Sequence, residues 1–180
     1  MNKIVSKEYP PVRDMNKNQR IEIVKDIFSS VTNKYDFLNR FLSLRQDLSW
    51  RKKTVEQMQF FSSYKLLDMA TGTGDLAIDA AKIHLNIKAI GLDFVQDMVD
   101  YGNVKVHDQN LKDRVNLKWG DATDIEYDDN TFDVTAMAFG IRNIPDKIKA
   151  LSEMKRVILP KGQVLILSLI HISEPTRRRG

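Results

Sequence analysis

The residues best placed to do chemistry lie in one short run, Leu66-Leu67-Asp68-Met69-Ala70-Thr71-Gly72-Thr73-Gly74-Asp75. An apolar strand ends in a carboxylate, crosses a glycine-rich turn and enters a helix, which is how an α/β sheet builds a nucleotide-cofactor site. Gly72 and Gly74 let the backbone approach a ligand that a Cβ would push away, and the helix opening near Asp75 offers free N–H groups in its first turn. Charge separates the candidate ligands. A dinucleotide would set its pyrophosphate on that helix start, against the Asp75 carboxylate. S-adenosylmethionine has no phosphate and carries an ammonium and a sulfonium, so acids at Asp68 and Asp75 suit it. The spacing Gly72-Thr73-Gly74-Asp75-Leu76-Ala77 also satisfies the looser G-x-G-x-x-A pattern, so an NAD-dependent oxidoreductase stays open at this point.

Further acids follow at strand ends. Ile87 to Leu92 reads as a strand ending at Asp93, about 20 residues past Gly74, where a carboxylate accepts ribose hydroxyls in either cofactor class. Val115 to Trp119 runs into Gly120-Asp121-Ala122, where Asp121 can accept from an adenine amino group beside the small Ala122. Phe132 to Ala138 and Gln163 to Ser168 supply two more strands. Asp75–Ile83, Gln96–Val106 and Asp146–Val157 have helical periodicity, the last through Ile144, Ile148, Leu151, Met154 and Val157. Strand–helix alternation predicts an α/β fold with a doubly wound, mostly parallel, Rossmann-like sheet and its site at the strand C-termini.

Over nearly its whole length the chain resembles the ubiquinone/menaquinone biosynthesis C-methyltransferases, a family of class I S-adenosylmethionine-dependent enzymes. The resemblance rests on Tyr35-Asp36-x-Leu38-Asn39-x-x-Leu42-Ser43, Trp50-Arg51, Asp68-x-Ala70-x-Gly72-Thr73-Gly74-Asp75, Phe139-Gly140-Ile141-Arg142-Asn143 and Arg156-Val157-Ile158-Leu159-Pro160-x-Gly162. It implies methyl transfer from S-adenosylmethionine to a ring carbon of a prenylated quinol, demethylmenaquinol and/or a polyprenyl-methoxy-benzoquinol. By the same resemblance Thr73, Asp93, Asp121 and Ala122 match cofactor-binding positions. Two positions depart: Ala138 stands where the family often has Ser, removing a hydroxyl from the cofactor edge, and Asp121 where many relatives carry Asn.

Carbon is a poor nucleophile, so ring methylation needs an electron-rich quinol, loss of a phenolic proton and in-line alignment with the methyl group. Arg142 follows the fourth strand, where a guanidinium could stabilise a developing phenolate or merely pair with an acid. Asn143 is positioned to orient a ring hydroxyl or a water. Tyr35 and Asp36 are candidates to close the site, with Asp36 the better proton acceptor; Tyr35 could equally be a core residue.

Three segments are expected. Residues 1–60 read as an N-terminal helical lid: Ile21, Val24, Ile27, Phe28 and Val31 share a helical face, and Tyr35, Phe37, Leu38, Phe41, Leu42, Leu44, Leu48 and Trp50 follow. Such a stripe packs on a sheet or covers a greasy substrate. Residues 61–168 form the cofactor-binding domain. Residues 169–180, LIHISEPTRRRG, resemble translated adaptor read-through and stand where the family continues with a helix and an antiparallel strand pair, so they are expected to be non-native and to leave the fifth strand an open edge.

Composition limits the alternatives. With 180 residues, 42% hydrophobic and 29% charged, the chain supports a single core. The absence of cysteine excludes disulfides and thiolate chemistry, and His84, His107 and His171 have no ligand spacing, so no metal site is expected. No apolar run has transmembrane length and Met1–Lys7 lacks a signal-peptide core, which predicts a cytoplasmic protein, with peripheral membrane association and a homodimer both admitted. Half of the net charge of +4 comes from Arg177, Arg178 and Arg179 against Glu174, too local to argue for nucleic acid. An amino-methyltransferase of nucleic acids would place an Asn/Asp-Pro-Pro-aromatic turn where this chain has Phe139–Asn143. Another small-molecule methyltransferase, or a truncated binding scaffold without turnover, are the remaining alternatives.

Overall fold

A computed structural model of the protein describes Glu22, Asp26 and residues 46–168. Its elements are α1 (Gln46–Glu56), β1 (Lys65–Met69), α2 (Asp75–Ile83), β2 (Lys88–Asp93), α3 (Gln96–Asp108), β3 (Val115–Trp119), β4 (Phe132–Ala138), a 3-10 turn (Ile141–Asn143), α4 (Lys147–Val157) and β5 (Ile158–Leu167). The strands form one sheet in the order β3-β2-β1-β4-β5, every pairing parallel. This is the doubly wound fold that the alternation predicts.

Side-chain alternation along β1 sets the two layers. Leu66 faces a cluster with Val134 and Ala136 of β4, Val55 of α1, Ala77 and Ala80 of α2, and Val99 and Val106 of α3. Leu67 and Met69 face the other way, toward Phe132, Met137 and the α4 residues Ala150, Met154 and Val157. Small residues on α2 let that helix sit close to the sheet. The chain order reverses between β1 and β4, so the crevice beyond their C-terminal ends is where a doubly wound sheet receives ligands.

Two expectations need correction. The α4 stripe was to include Ile148 and Leu151, yet Ile148 is 79% exposed and Leu151 is also exposed. Ile144 precedes the helix cap at Asp146, whose side chain accepts from Lys149 N, so a spacing counted from Ile144 has no helical phase. Ala150, Met154 and Val157, spaced four and three apart, form the real inward stripe. The fifth strand also begins earlier than Gln163. Ile158 pairs with Phe132, the register shifts, and regular pairing resumes at Gln163 with Val134. The irregularity lies at Lys161 (φ 72°) and Gly162, where a Cβ would stand 2.7 Å from the Asp133 carbonyl oxygen. β5 is the outer strand, without a further neighbour among the described residues. Tyr35, Asp36, most of the lid stripe and residues 169–180 lie outside the described residues.

Candidate active site at the strand ends

The β1 exit is a strained, heavily bonded turn. Ala70 has a left-handed backbone (φ 51°), followed by Gly72 (φ 57°) and Gly74 (φ 81°). For Ala70 that conformation is costly and is held by its surroundings. Thr71 N donates to Leu92 O (3.0 Å), Gly74 N to Thr71 O (3.0 Å), and Gly72 N to Asp93 Oδ2 (2.7 Å). A Cβ on Gly74 would meet the Leu117 side chain at 2.5 Å, so glycine is needed there for space as well as for φ.

Asp68 lies beneath this turn, 1% exposed. Its Oδ2 accepts from Thr71 Oγ1 (2.5 Å), while Oδ1 is buried without a hydrogen-bond partner. Burial pushes the carboxyl up to about 7, the Thr71 hydroxyl and the Ala77 backbone opposing this only in part and the Asp93 charge adding to it. Asp93, 7% exposed, closes the β2 end. Its Oδ1 accepts from Val95 N (3.0 Å) and its Oδ2 from Gly72 N, and burial raises it despite those donors. One carboxylate thus joins the β1 and β2 exits.

Asp75 behaves differently from the expectation. Its carboxylate was to repel a pyrophosphate, but Arg51 Nη2 lies 3.2 Å from Oδ2 and Lys105 Nζ 2.6 Å from Oδ1. Two cations neutralise it, and repulsion no longer discriminates. The same pairing supplies a better discriminator. Arg51 and Lys105 are the cations gathered at the glycine turn, and both are committed to carboxylates, so neither is held ready for a phosphate. Thr73 lies in the same turn: its side chain is buried, and its hydroxyl accepts from Lys105 Nζ (2.9 Å).

At the β3 end Asp121 is exposed. Its Oδ1 takes Thr123 N (2.7 Å) and Thr123 Oγ1 (2.8 Å), leaving Oδ2 without a partner among the described residues. Ala122 packs at the edge of the cluster that holds Leu92 and Met69. Asp93 and Asp121, with two glycines between strand and helix, set carboxylate acceptors along the strand ends.

The β4 exit is open by comparison. Ala138 ends the strand, Phe139 is left-handed (φ 60°), and the 3-10 turn follows with Asn143 N donating to Gly140 O (2.9 Å). A Cβ on Gly140 would stand 2.5 Å from the Ala70 Cβ, so the two exits touch through the missing side chain. Arg142 is exposed and makes no ion pair among the described residues. The Trp50 ring of α1 lies 6.4 Å from the Phe139 ring, tilted by 53°. The structure therefore brings together Asp68, Gly72, Thr73, Gly74, Asp93, Ala138, Arg142 and Asn143 around the β1 and β4 exits, with Asp121 and Ala122 on the β3 side.

Arg51 and Lys105 were not singled out for the site from the sequence. A signal existed: Asp47 and Arg51, then Asp75 and Asp79, are each four apart, and α1 lacks an apolar stripe, burying Asp47, Arg51 and Val55 instead. Among the described residues no cluster of His, Asp or Glu could hold a metal, and no helix is long and apolar enough to cross a membrane.

The sequence and the fold are similar to those of known proteins. The ubiE/COQ5 methyltransferase family matches residues 13–179. The ubiquinone/menaquinone biosynthesis C-methyltransferase UbiE of Citrifermentans bemidjiense is 38% identical over 160 residues, covering 88% of this chain and 67% of that protein. The demethylmenaquinone methyltransferase of Lactobacillus johnsonii is 39% identical over 158 residues, covering 87% and 65%. The chain thus spans about two thirds of the length of these curated relatives. Among solved structures, a SAM-dependent methyltransferase from Aquifex aeolicus superposes with a TM-score of 0.59 at 26% identity, covering 69% of this chain and 68% of that one. The motifs, the sheet and these likenesses agree, and the chain belongs to the ubiE/COQ5 methyltransferase family.

Proposed function

We propose that this chain is an S-adenosylmethionine-dependent C-methyltransferase of quinone biosynthesis, acting on a ring carbon of demethylmenaquinol and/or a polyprenyl-methoxy-benzoquinol. The observation that carries the reading is the pairing of an acceptor-rich turn at β1, whose nearby cations are already committed to carboxylates, with an exposed Arg142 at β4 that makes no ion pair among the described residues, the exits touching at Gly140 and Ala70. The family and the relatives named above support it.

S-adenosylmethionine, when bound, supplies an electrophilic methyl group. Asp93 would accept from the ribose hydroxyls and Asp121 Oδ2 from the adenine amino group, beside Ala122. Gly72 and Gly74 leave room for the ligand against the backbone, and Asp68 supports the turn from below. Arg142 would hold the phenolate oxygen as charge builds on it; permanently protonated, it stabilises an oxyanion and takes no proton. Asn143 would orient the ring hydroxyl. Tyr35 and Asp36 are proposed to close the site, Asp36 taking the proton. A prenyl chain would lie against the N-terminal residues, with its long tail drawing the enzyme to a membrane surface.

Calorimetric titration tests the cofactor assignment: S-adenosylhomocysteine should bind and NAD should not. Tighter binding of NAD would overturn it. Methylation of a short-chain demethylmenaquinol, against a short-chain methoxy-benzoquinol, then tests the substrate, and turnover of neither would overturn the quinol reading.

A further inference from the structure

Asp75 is the first residue of α2, directly after the glycine turn, and its two oxygens are divided between two other helices. Arg51 Nη2 of α1 holds Oδ2 at 3.2 Å, and Lys105 Nζ of α3 holds Oδ1 at 2.6 Å. Lys105 also donates to Thr73 Oγ1 (2.9 Å), inside the turn itself. Gly102, one helical turn earlier, makes this approach feasible, since a Cβ there would stand 2.9 Å from the Thr73 carbonyl oxygen. Arg51, only 8% exposed, spends its remaining donors on Asp47 (3.0 Å) and Asp79 (3.2 Å). Burial works against its charge, but Asp75, Asp79 and Asp47 more than offset this and raise it. The next residue back, Trp50, meets Phe139 at the β4 exit. Consecutive side chains of α1 therefore reach both halves of the site.

We propose that Arg51 and Lys105 are positioning residues for the cofactor turn, and that the Trp50–Arg51 pair sets α1 against the β1 and β4 exits together. The inference rests on the reading that this turn holds S-adenosylmethionine. Gly72 and Gly74 are conformationally soft, and freezing a soft turn on binding costs affinity. A turn already clamped through Asp75 and Thr73 loses less freedom when the ligand arrives. Arg51 must serve three carboxylates in three directions, which its planar fork does and a lysine ammonium cannot.

The test is calorimetric titration of S-adenosylhomocysteine into the full chain and into R51K, K105M, K105R and the R51K/K105M double variant, each well below its melting temperature. R51K should weaken binding about tenfold and K105M somewhat less. K105R should restore most of the K105M loss. Because both cations act through Asp75, the double variant should lose clearly less than the product of the single losses. If R51K does not fold, the K105M and K105R pair decides alone. Variants that melt lower but keep the dissociation constant of the unaltered chain would show a merely structural network and overturn the inference. Failure of the unaltered chain to bind would overturn the cofactor reading and this inference with it.

Discussion

The two strand exits that meet at the switch point are built in opposite ways. At β1 the three carboxylates are all tied down, Asp68 to Thr71, Asp93 to Gly72 and Val95, Asp75 to two cations from other helices, and Asp68 Oδ1 alone among their oxygens has no partner among the described residues. At β4 the 3-10 turn closes on two backbone bonds, Asn143 N to Gly140 O and Ile144 N to Ile141 O, and Arg142 is exposed without an ion-pair partner among the described residues. On the proposed function the first exit would receive the same ligand on every turnover and gain from being set in advance. On the proposed function the second would admit a bulky substrate and keep a charge free for it, so organisation there would wait for the substrate. Function and stability are entangled at β1 and separable at β4.

The sharpest way to break that contrast is Arg142→Lys. Turnover of a short-chain demethylmenaquinol should fall about 10²-fold, because the planar fork on the oxyanion is lost, while the melting temperature stays put. A parallel loss of stability would show Arg142 to be structural after all. Asp93→Ala should do both kinds of damage. S-adenosylhomocysteine affinity should weaken about tenfold or more, and the melt should fall by several degrees as Gly72 N and Val95 N lose their acceptor. Calorimetry and a thermal scan on one sample separate these effects, and unchanged stability would mean that the β1 exit is not entangled.

Asp68 gives a pH-dependent version. Held near 7 in the fold against 3.8 for the free side chain, it binds its proton more tightly folded than unfolded. Its presence therefore costs nothing at low pH and an increasing amount as pH rises from about 4 to about 7, where the buried group must ionise. Asp68→Asn, which stays neutral, should melt above the unaltered chain by a few degrees near pH 8 and with little difference near pH 4, measured without ligand. A gap that widens toward acid would contradict the assignment. The smallest effect is expected away from both exits: Ile148→Lys should change stability by less than about 0.5 kcal/mol, because the side chain is already in water. A loss of the size seen for a core residue would reinstate the stripe from Ile144.

Most of the fold was legible in the sequence because strand and helix periods are local. Val115–Trp119, Phe132–Ala138 and Asp75–Ile83 fall where the pattern placed them. Misreadings arose where the phase depended on something non-local. Ile144 lies outside its helix, and the start of β5 passes through a positive-φ residue that no alternation records. At the site, glycines and strand-end acids were legible as types at fixed spacings. Which charges cancel was not: Arg51, Asp75 and Lys105 are far apart in the chain and meet only through the packing of α1, α2 and α3. A formal charge read from sequence overstated the field at Asp75 for that reason.

The Gly140–Ala70 contact has a consequence for inheritance. With 2.5 Å between the Ala70 methyl and the place where a second would stand, position 140 can gain a side chain only in a lineage that has already reduced position 70 to glycine. That first change is open, because Ala70 has a left-handed φ of 51° that glycine adopts freely. The route through Gly140→Ala is blocked from the other side. The glycine-turn motif and the Phe-Gly-Ile-Arg-Asn motif, distant in the gene, are therefore coupled, and a recombinant that joined Ala70 to an alanine at position 140 would bring two methyl groups into collision, whereas the reciprocal product with glycine at both positions would not.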